Sequence, residues 1–360
     1  MNAERLHVIA IALKTDFAEI KLQQLLDTLV QSLAAQVSQP NQPQHQTNVS
    51  TNLTNLYESL SKSKVNSFTP AWLDIVEEIG GMEFIEKNLS AAVRAIFERN
   101  NITPSVAQQE LAQISARLKP FLGSINQLCG SMTALNIGHE ELEPGECEVG
   151  VVIPRVSVSN ALNDFGKELV QLNKILSVFS EIATDSRENF QIRNISSSEL
   201  TVFLETAPEI AACIAIAIER IVTLYKSLLE IKKLKSDLES QGVPKKDMSG
   251  VEQHANALME NGIKILVEDL IGQYHKNPDK ARKNELKIEA KYALNKLAKR
   301  IDQGYGLDVR IEPTIENEET ENTPDEEIVN TIIEASKNIQ YIKPSGKPIL
   351  TLPDSQEDDI

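Results

Sequence analysis

The sequence predicts a predominantly helical α+β protein: an N-terminal helical region, then a small antiparallel-type sheet in split β-α-β-like order, covered by long helices. Three observations carry this. Apolar residues make up 41% of the chain but aromatics only 4%, and the Leu, Ile and Ala that remain favour helices packed on helices. Short β-branched runs recur after residue 146. Between the last two of them lies one long apolar helix, around which the rest is organised.

That helix grows out of a strand. Leu200 to Leu204 places Thr201, Val202 and Phe203 in a row suited to a pleated surface. Thr206 then fits an N-cap, Pro208 fits the first helical turn where its missing N–H costs nothing, and Glu209 complements the positive helix end. Ile210, Ile214, Ala217, Ile218, Ile221, Leu224, Tyr225, Leu228, Leu234 and Leu238 follow at spacings that sum to one apolar stripe, predicting the central helix of a core.

From the start of the chain, residues 1–37 read as an amphipathic helix with a break near Thr15 and Asp16. Leu6, Ile9, Leu13, Phe17 and Ile20 form one stripe; Leu22, Leu26, Leu29, Leu33 and Val37 form a rotated one, fit to pack in a bundle or on a second copy. Residues 38–55 are uncharged and rich in Gln, Asn, Pro, Ser and Thr, the composition of a flexible linker that leaves the first helix free to swing. Residues 56–140 read as a helical cluster: a helix from Leu53 to Lys64, then Ala71–Ile79, Met82–Asn100 and Ser105–Leu118. Thr69-Pro70 and Thr103-Pro104 start helices, Gly80-Gly81 stops one, and Pro120 ends the last. Trp72, with Ile75, Val76 and Ile79, is a core anchor.

Residues 146–312 form the α+β domain. Cys147–Arg155 is a strand ending at Pro154, Asn160–Ala183 a helix, Phe190–Ile195 and Leu200–Leu204 a hairpin, and Leu307–Ile311 a last strand. Two more helices, Lys246–His275 and Asp279–Asp302, are inserted before that strand. Residues 313–360 read as an acidic, partly disordered tail with a short helix, Glu327–Asn338, and an extended arm around Pro344-Ser345-Gly346.

Charge narrows the partners. The net charge of −16 is spread as −8 over residues 1–200, +3 over 201–300 and −11 over 301–360, so any contact with nucleic acid or anionic lipid has to be local. The one basic face is a helix in which Lys280, Lys283, Lys287 and Lys291 recur every three or four residues, opposite Leu286, Ala290, Ala293, Leu294, Leu297 and Ile301. Those lysines are candidate phosphate contacts, although Tyr292 alone offers a ring for base stacking and a solvated helix face has the same pattern. Three scattered cysteines, Cys129, Cys147 and Cys213, suit a reducing compartment. The apolar run at residues 6–13 is too short and wrongly flanked for a signal peptide, and Ala211–Ile218 is too short to span a bilayer, so a cytoplasmic protein is expected.

Signatures of chemistry are absent from the sequence. There is no G-x-S-x-G, H-E-x-x-H, Cys-x-x-Cys or GxGxxG, and Gly346-Lys347 lacks the glycine spacing of a phosphate loop. His139, Glu140, Glu141, Glu143, Glu146, Cys147 and Glu148 gather acids with one imidazole and one thiol, short of the compact repeated ligands zinc requires. No catalytic residue, metal or cofactor is assigned on this basis. The expectation is a non-enzymatic assembly or interaction protein, self-associating or reaching a protein partner through its N-terminal helix or C-terminal tail. A binding module for nucleic acid or an anionic membrane, through the basic helix, is the alternative; an enzyme with a composite site is the third.

Overall fold

The computed structural model describes residues 3–138, 142–196, 200–242, 249–312, 326–339 and 347–355, which fall into two compact units divided between Glu141 and Leu142. In the first unit, helices form wherever apolar residues repeat at three and four. Helix α1 (Ala3–Glu19) buries Val8, Ile9, Leu13 and Phe17, and α2 (Leu22–Ser38) buries Leu22, Leu26, Leu29 and Leu33. The break falls at Ile20 and Lys21, past the expected Thr15 and Asp16, with Lys21 in the left-handed region at φ 53°. Asp16 remains within α1, where its buried carboxylate accepts hydrogen bonds from the Ser63 hydroxyl at 2.6 Å and the Lys64 N–H at 2.7 Å, tying α1 to the turn after α3.

Residues 38–55 are not a linker throughout. Helix α3 (Pro43–Ser61) begins within them, starts on a proline and packs on α2. Val49, Leu53, Leu56 and Leu60 are spaced four, three and four apart, and that sparse stripe suffices because the polar residues between them cover only the outer face. The first two helices are therefore part of the unit's core, not a swinging arm. Phe68 meets Trp72 edge-on at 4.8 Å as α4 (Pro70–Glu78) begins, and Val76 lies beside them in the core. A short 3₁₀ turn at Met82–Phe84 delays α5 (Glu86–Arg99). Helix α6 (Pro104–Ala134) runs straight through Pro120, which was expected to end it. Ala116, whose carbonyl loses its partner at Pro120, lies on the exposed face where water can serve it, while Leu118 and Ile125 stay buried on the other side.

The second unit holds the sheet. Strands β1 (Cys147–Val152), β2 (Gln191–Ser196), β3 (Thr201–Thr206) and β4 (Gly306–Ile311) pair antiparallel in the order β2-β3-β1-β4. Helix α7 (Leu162–Thr184) joins β1 to β2, so this is the split β-α-β order read from the sequence. Cys147, Val149 and Val151 are matched across the ladder by Leu204 and Val202 on one side and Ile311, Val309 and Leu307 on the other, and that face packs on helices. The opposite face carries Glu148, Gly150, Phe203, Asp308 and Arg310. A Cβ on Gly150 would lie 3.1 Å from the Phe203 ring, which takes up the space that glycine leaves.

Helix α8 (Pro208–Ser240) fills the centre. Thr206 is not its cap: strand pairing with Cys147 holds it in β3, and the helix begins two residues later. From Ile210 to Leu228 nearly every apolar side chain is buried, including Ala211, Ala212, Cys213 and Ala215 outside the predicted stripe. The stripe fades earlier than predicted, with Leu234 55% exposed. Helices α9 (Ser249–Tyr274), α10 (Lys280–Asp302) and α11 (Glu326–Asn338) pack on it, and Asp279 caps α10 by accepting the Ala281 and Arg282 N–H groups. The expected disordered stretch, 313–325, lies outside the described residues, as do the centre of the arm at 340–346 and the last five residues. What is described of the arm, 347–355, is docked on its own domain with Ile349, Leu350 and Leu352 buried.

Glycines separate crowding from propensity. Gly262 lies where α9 crosses α8, and a Cβ there would come within 2.5 Å of Leu224; Gly123 in α6 has nothing within 4 Å. Gly123→Ala should raise stability in urea titration by about 0.5–1 kcal/mol through helix propensity. Gly262→Ala should lose that gain to overpacking and fall about 1 kcal/mol or more below the parent.

Candidate functional site

A concavity with polar walls lies at one end of the sheet, where the β1 entry, the loop before β2, the end of β3 and the start of α8 converge. It measures about 320 Å³ and is lined by Gly145, Glu146, Glu188 to Gln191, Glu205 to Ala207 and Ile210. Three carboxylates, Glu146, Glu188 and Glu205, line it. Burial alone would raise the Glu146 carboxyl, yet the Glu143 N–H at 2.9 Å and Arg193 at 3.0 Å outweigh it and hold the group below the usual carboxylate range. Glu188 and Glu205 are exposed. The adjacent Cys147 thiol is buried, and burial together with Glu209 and Glu146 pushes it up to about 12, so no thiolate is available near neutrality.

A second polar cluster locks helix ends together. Glu181 of α7 accepts a two-pronged bond from Arg282 of α10, at 2.6 and 2.7 Å, and a third from Arg187 at 2.6 Å; Arg187 and Arg282 also reach Glu289. Burial opposes ionisation of Glu181, but the two guanidinium partners prevail and its pKa is lowered. His275 at the end of α9 is buried, with its Nδ1 2.9 Å from an Asp185 carboxylate oxygen. These groups brace structure; they leave no nucleophile beside a base.

The four candidate lysines lie in sequence order along α10. Lys280 is exposed; Lys283, Lys287 and Lys291 are half-buried. Lys287 pairs with Glu268 of α9, and the Lys291 ammonium stands 5.3 Å from the centre of the Tyr292 ring. Carboxylates at Glu268, Glu285 and Glu289 interrupt the row, so its field is mixed in sign. Of the acidic loop, His139, Glu140 and Glu141 lie outside the described residues; Glu146 is taken by Arg193, and Cys147 and Glu148 point to opposite faces of β1. Among the described residues no group of three or more His, Cys, Asp or Glu is placed to hold a metal ion, and no helix is long and apolar enough to cross a membrane.

A feature that periodicity did not single out is an apolar surface where β1 leads into α7. Val156 is 92% exposed and Leu162 86%, while Val170, two turns along the same helix face, is 54% exposed. Gly166 lies between them and Phe165 and Leu169 flank them, half-buried. Leu162 stands at helical spacing from Phe165 and Leu169, and nothing in spacing alone distinguishes an apolar residue facing a core from one facing solvent. With this geometry in view, a scan against protein-family models finds no match, and searches of curated proteins and of solved structures find none either.

Cys129, Cys147 and Cys213 are all buried with thiols raised by burial, so a thiol reagent at pH 8 should label none of them in the native protein within minutes and all three in denaturant. Because the Glu181 pKa is lowered in the folded state, its ion cluster stabilises the fold above the ordinary carboxylate value of 4.5 and loses that effect as pH falls through the folded value. Glu181→Gln should therefore cost about 1–3 kcal/mol at pH 7, and the gap to the parent should close in urea titrations on going to pH 3.

Proposed function

We propose that this chain is a non-enzymatic assembly or interaction protein that associates with copies of itself through the apolar surface at the start of α7. The observation that carries the reading is the exposure of Val156 in the turn before α7 and of Leu162 and Val170 on the helix itself. Single exposed apolar residues are ordinary, but adjacent ones rimmed by polar groups mark contact surfaces. Lys167 and Asp164 pair at 3.5 Å on the rim, and Glu168 is engaged by Arg300 at 2.6 Å, so the surface is edged by charges already satisfied within the chain. A second support is chemical: in the cleft the Glu143 N–H and Arg193 hold the Glu146 carboxyl below the usual range, the thiols are buried, and the ion pairs brace helices.

Removing residues 1–45 would strip core from the first unit, so the test uses point variants. Light scattering on the full chain should give a mass above that of one copy. Leu162→Glu with Val156→Glu should weaken association by at least about 10-fold while leaving the melting temperature within a few degrees, since neither side chain supports the core. An unchanged mass, or a single-copy mass for the parent at the highest concentrations reached, removes this reading. Raising the salt should leave association through this surface intact, whereas binding by Lys280, Lys283, Lys287 and Lys291 to a phosphate backbone would weaken steeply.

A further inference from the structure

Residues 347–355 lie extended along a groove formed by α8, α9 and α10. Burial of Ile349, Leu350 and Leu352 is what any closing segment achieves. The main chain is held in another way. No strand pairs with it among the described residues; side chains from the helices meet its amides and carbonyls instead. Asp302 accepts the N–H groups of Ile349 at 2.6 Å and Leu350 at 2.8 Å through one carboxylate oxygen. Asn256 accepts the Thr351 N–H at 2.8 Å and donates to the Ile349 carbonyl at 3.4 Å. Lys299 donates to the Leu352 carbonyl at 3.2 Å and pairs with Asp354 at 2.8 Å, and Asn295 donates to the Pro353 carbonyl at 2.9 Å.

The groove side of these contacts is itself held by the helices. The other oxygen of Asp302 accepts the Tyr225 hydroxyl at 2.6 Å, which fixes the aim of the carboxylate, and Asp302 and Asn295 are 1% and 0% exposed. An empty groove would leave one Asp302 oxygen and the Asn295 amide without the main-chain partners that meet them here, and an equivalent segment would restore those bonds. Because the polar contacts are to the main chain, they select an extended shape with apolar residues at the first, second and fourth positions, then proline and an acid.

We propose that this groove is a recognition site for an extended tail, filled in cis by residues 347–355 and in trans by residues 347–355 of a second copy. The second copy is the occupant because its tail matches the groove by identity, and exchange of an identical segment needs no new surface. The tether favours the cis form in dilute solution, and the exchanged form grows with protein concentration. The proposal rests on the self-association reading above but uses a different surface, so the two can fail separately.

The test pairs two full-length variants, both carrying Leu162→Glu to silence the first surface. One has a spoiled tail, Ile349→Asp with Leu352→Asp; the other a spoiled groove, Asn256→Ala with Lys299→Ala, which leaves Asp302 and its bond from Tyr225 in place. Neither should dimerise alone, and an equimolar mixture should give a 1:1 dimer by light scattering. A fluorescent peptide of residues 347–355 should bind the spoiled-tail chain at least about 10-fold tighter than the parent, whose groove is filled, and should raise its melting temperature even if that chain is marginally folded. Asp302→Asn added to the spoiled-tail chain should cost the peptide a further 10-fold or more. A spoiled-tail chain that neither binds the peptide nor is stabilised by it overturns the recognition site. Peptide binding with a mixture that stays monomeric overturns exchange between copies. A dimer in the mixture beside a parent unaffected by Leu162→Glu leaves the groove standing and removes the α7 surface.

Discussion

The second unit is shaped by one constraint: the run from Ile210 to Ile218 of α8 is apolar on all sides, and such a helix has to be enclosed. An amphipathic helix needs one neighbour, but a helix with Ala211, Ala212, Cys213, Ile214 and Ala215 buried in succession needs a shell. The sheet supplies part of it through β1 and β4, and α7, α9, α10 and α11 supply the rest. The small residues matter as much as the large ones, since alanines and Gly262 let neighbouring elements approach closely. Where the shell would leave a gap beside Tyr225, Asp302 and the tail at residues 349–350 close it.

Enclosure of this kind also disposes of polar groups. Asp16 is committed to a turn, Glu181 to two guanidinium groups and Asp302 to a tyrosine and two amides. Each is satisfied by partners that fix its position. Val156, Leu162 and Val170, by contrast, face outward at the start of α7.

Much of the architecture was legible in order. The four strands, the split β-α-β arrangement, the central helix and the two inserted helices all follow from runs of β-branched residues and three-four spacing, because those patterns reflect which side of an element meets a core. Misreadings came where composition was taken for structure. Residues 43–55 look like a linker because Gln and Asn outnumber apolar residues, yet Val49 and Leu53 join Leu56 and Leu60 in one stripe, and four well-spaced apolar residues hold a helix against α2. Pro120 looks like a stop, yet a proline with its lost bond on the solvent side is tolerated when the buried face continues.

The candidate sites were less legible, and for a physical reason. Asn295 and Asp302 border the apolar face of α10, an available hint that polar partners would be found there; what they bind comes from more than 45 residues further along the chain. The exposure of Val156, Leu162 and Val170 depends on which neighbour fails to cover them, and spacing records a helix's own faces but not its surroundings. The sequence by itself determined the elements, their order and the apolar helix at the centre, since these depend on local propensity and periodicity. Only the tertiary structure decided which apolar residues stay in water and which distant main-chain groups a buried carboxylate meets, because both depend on how separate segments come together.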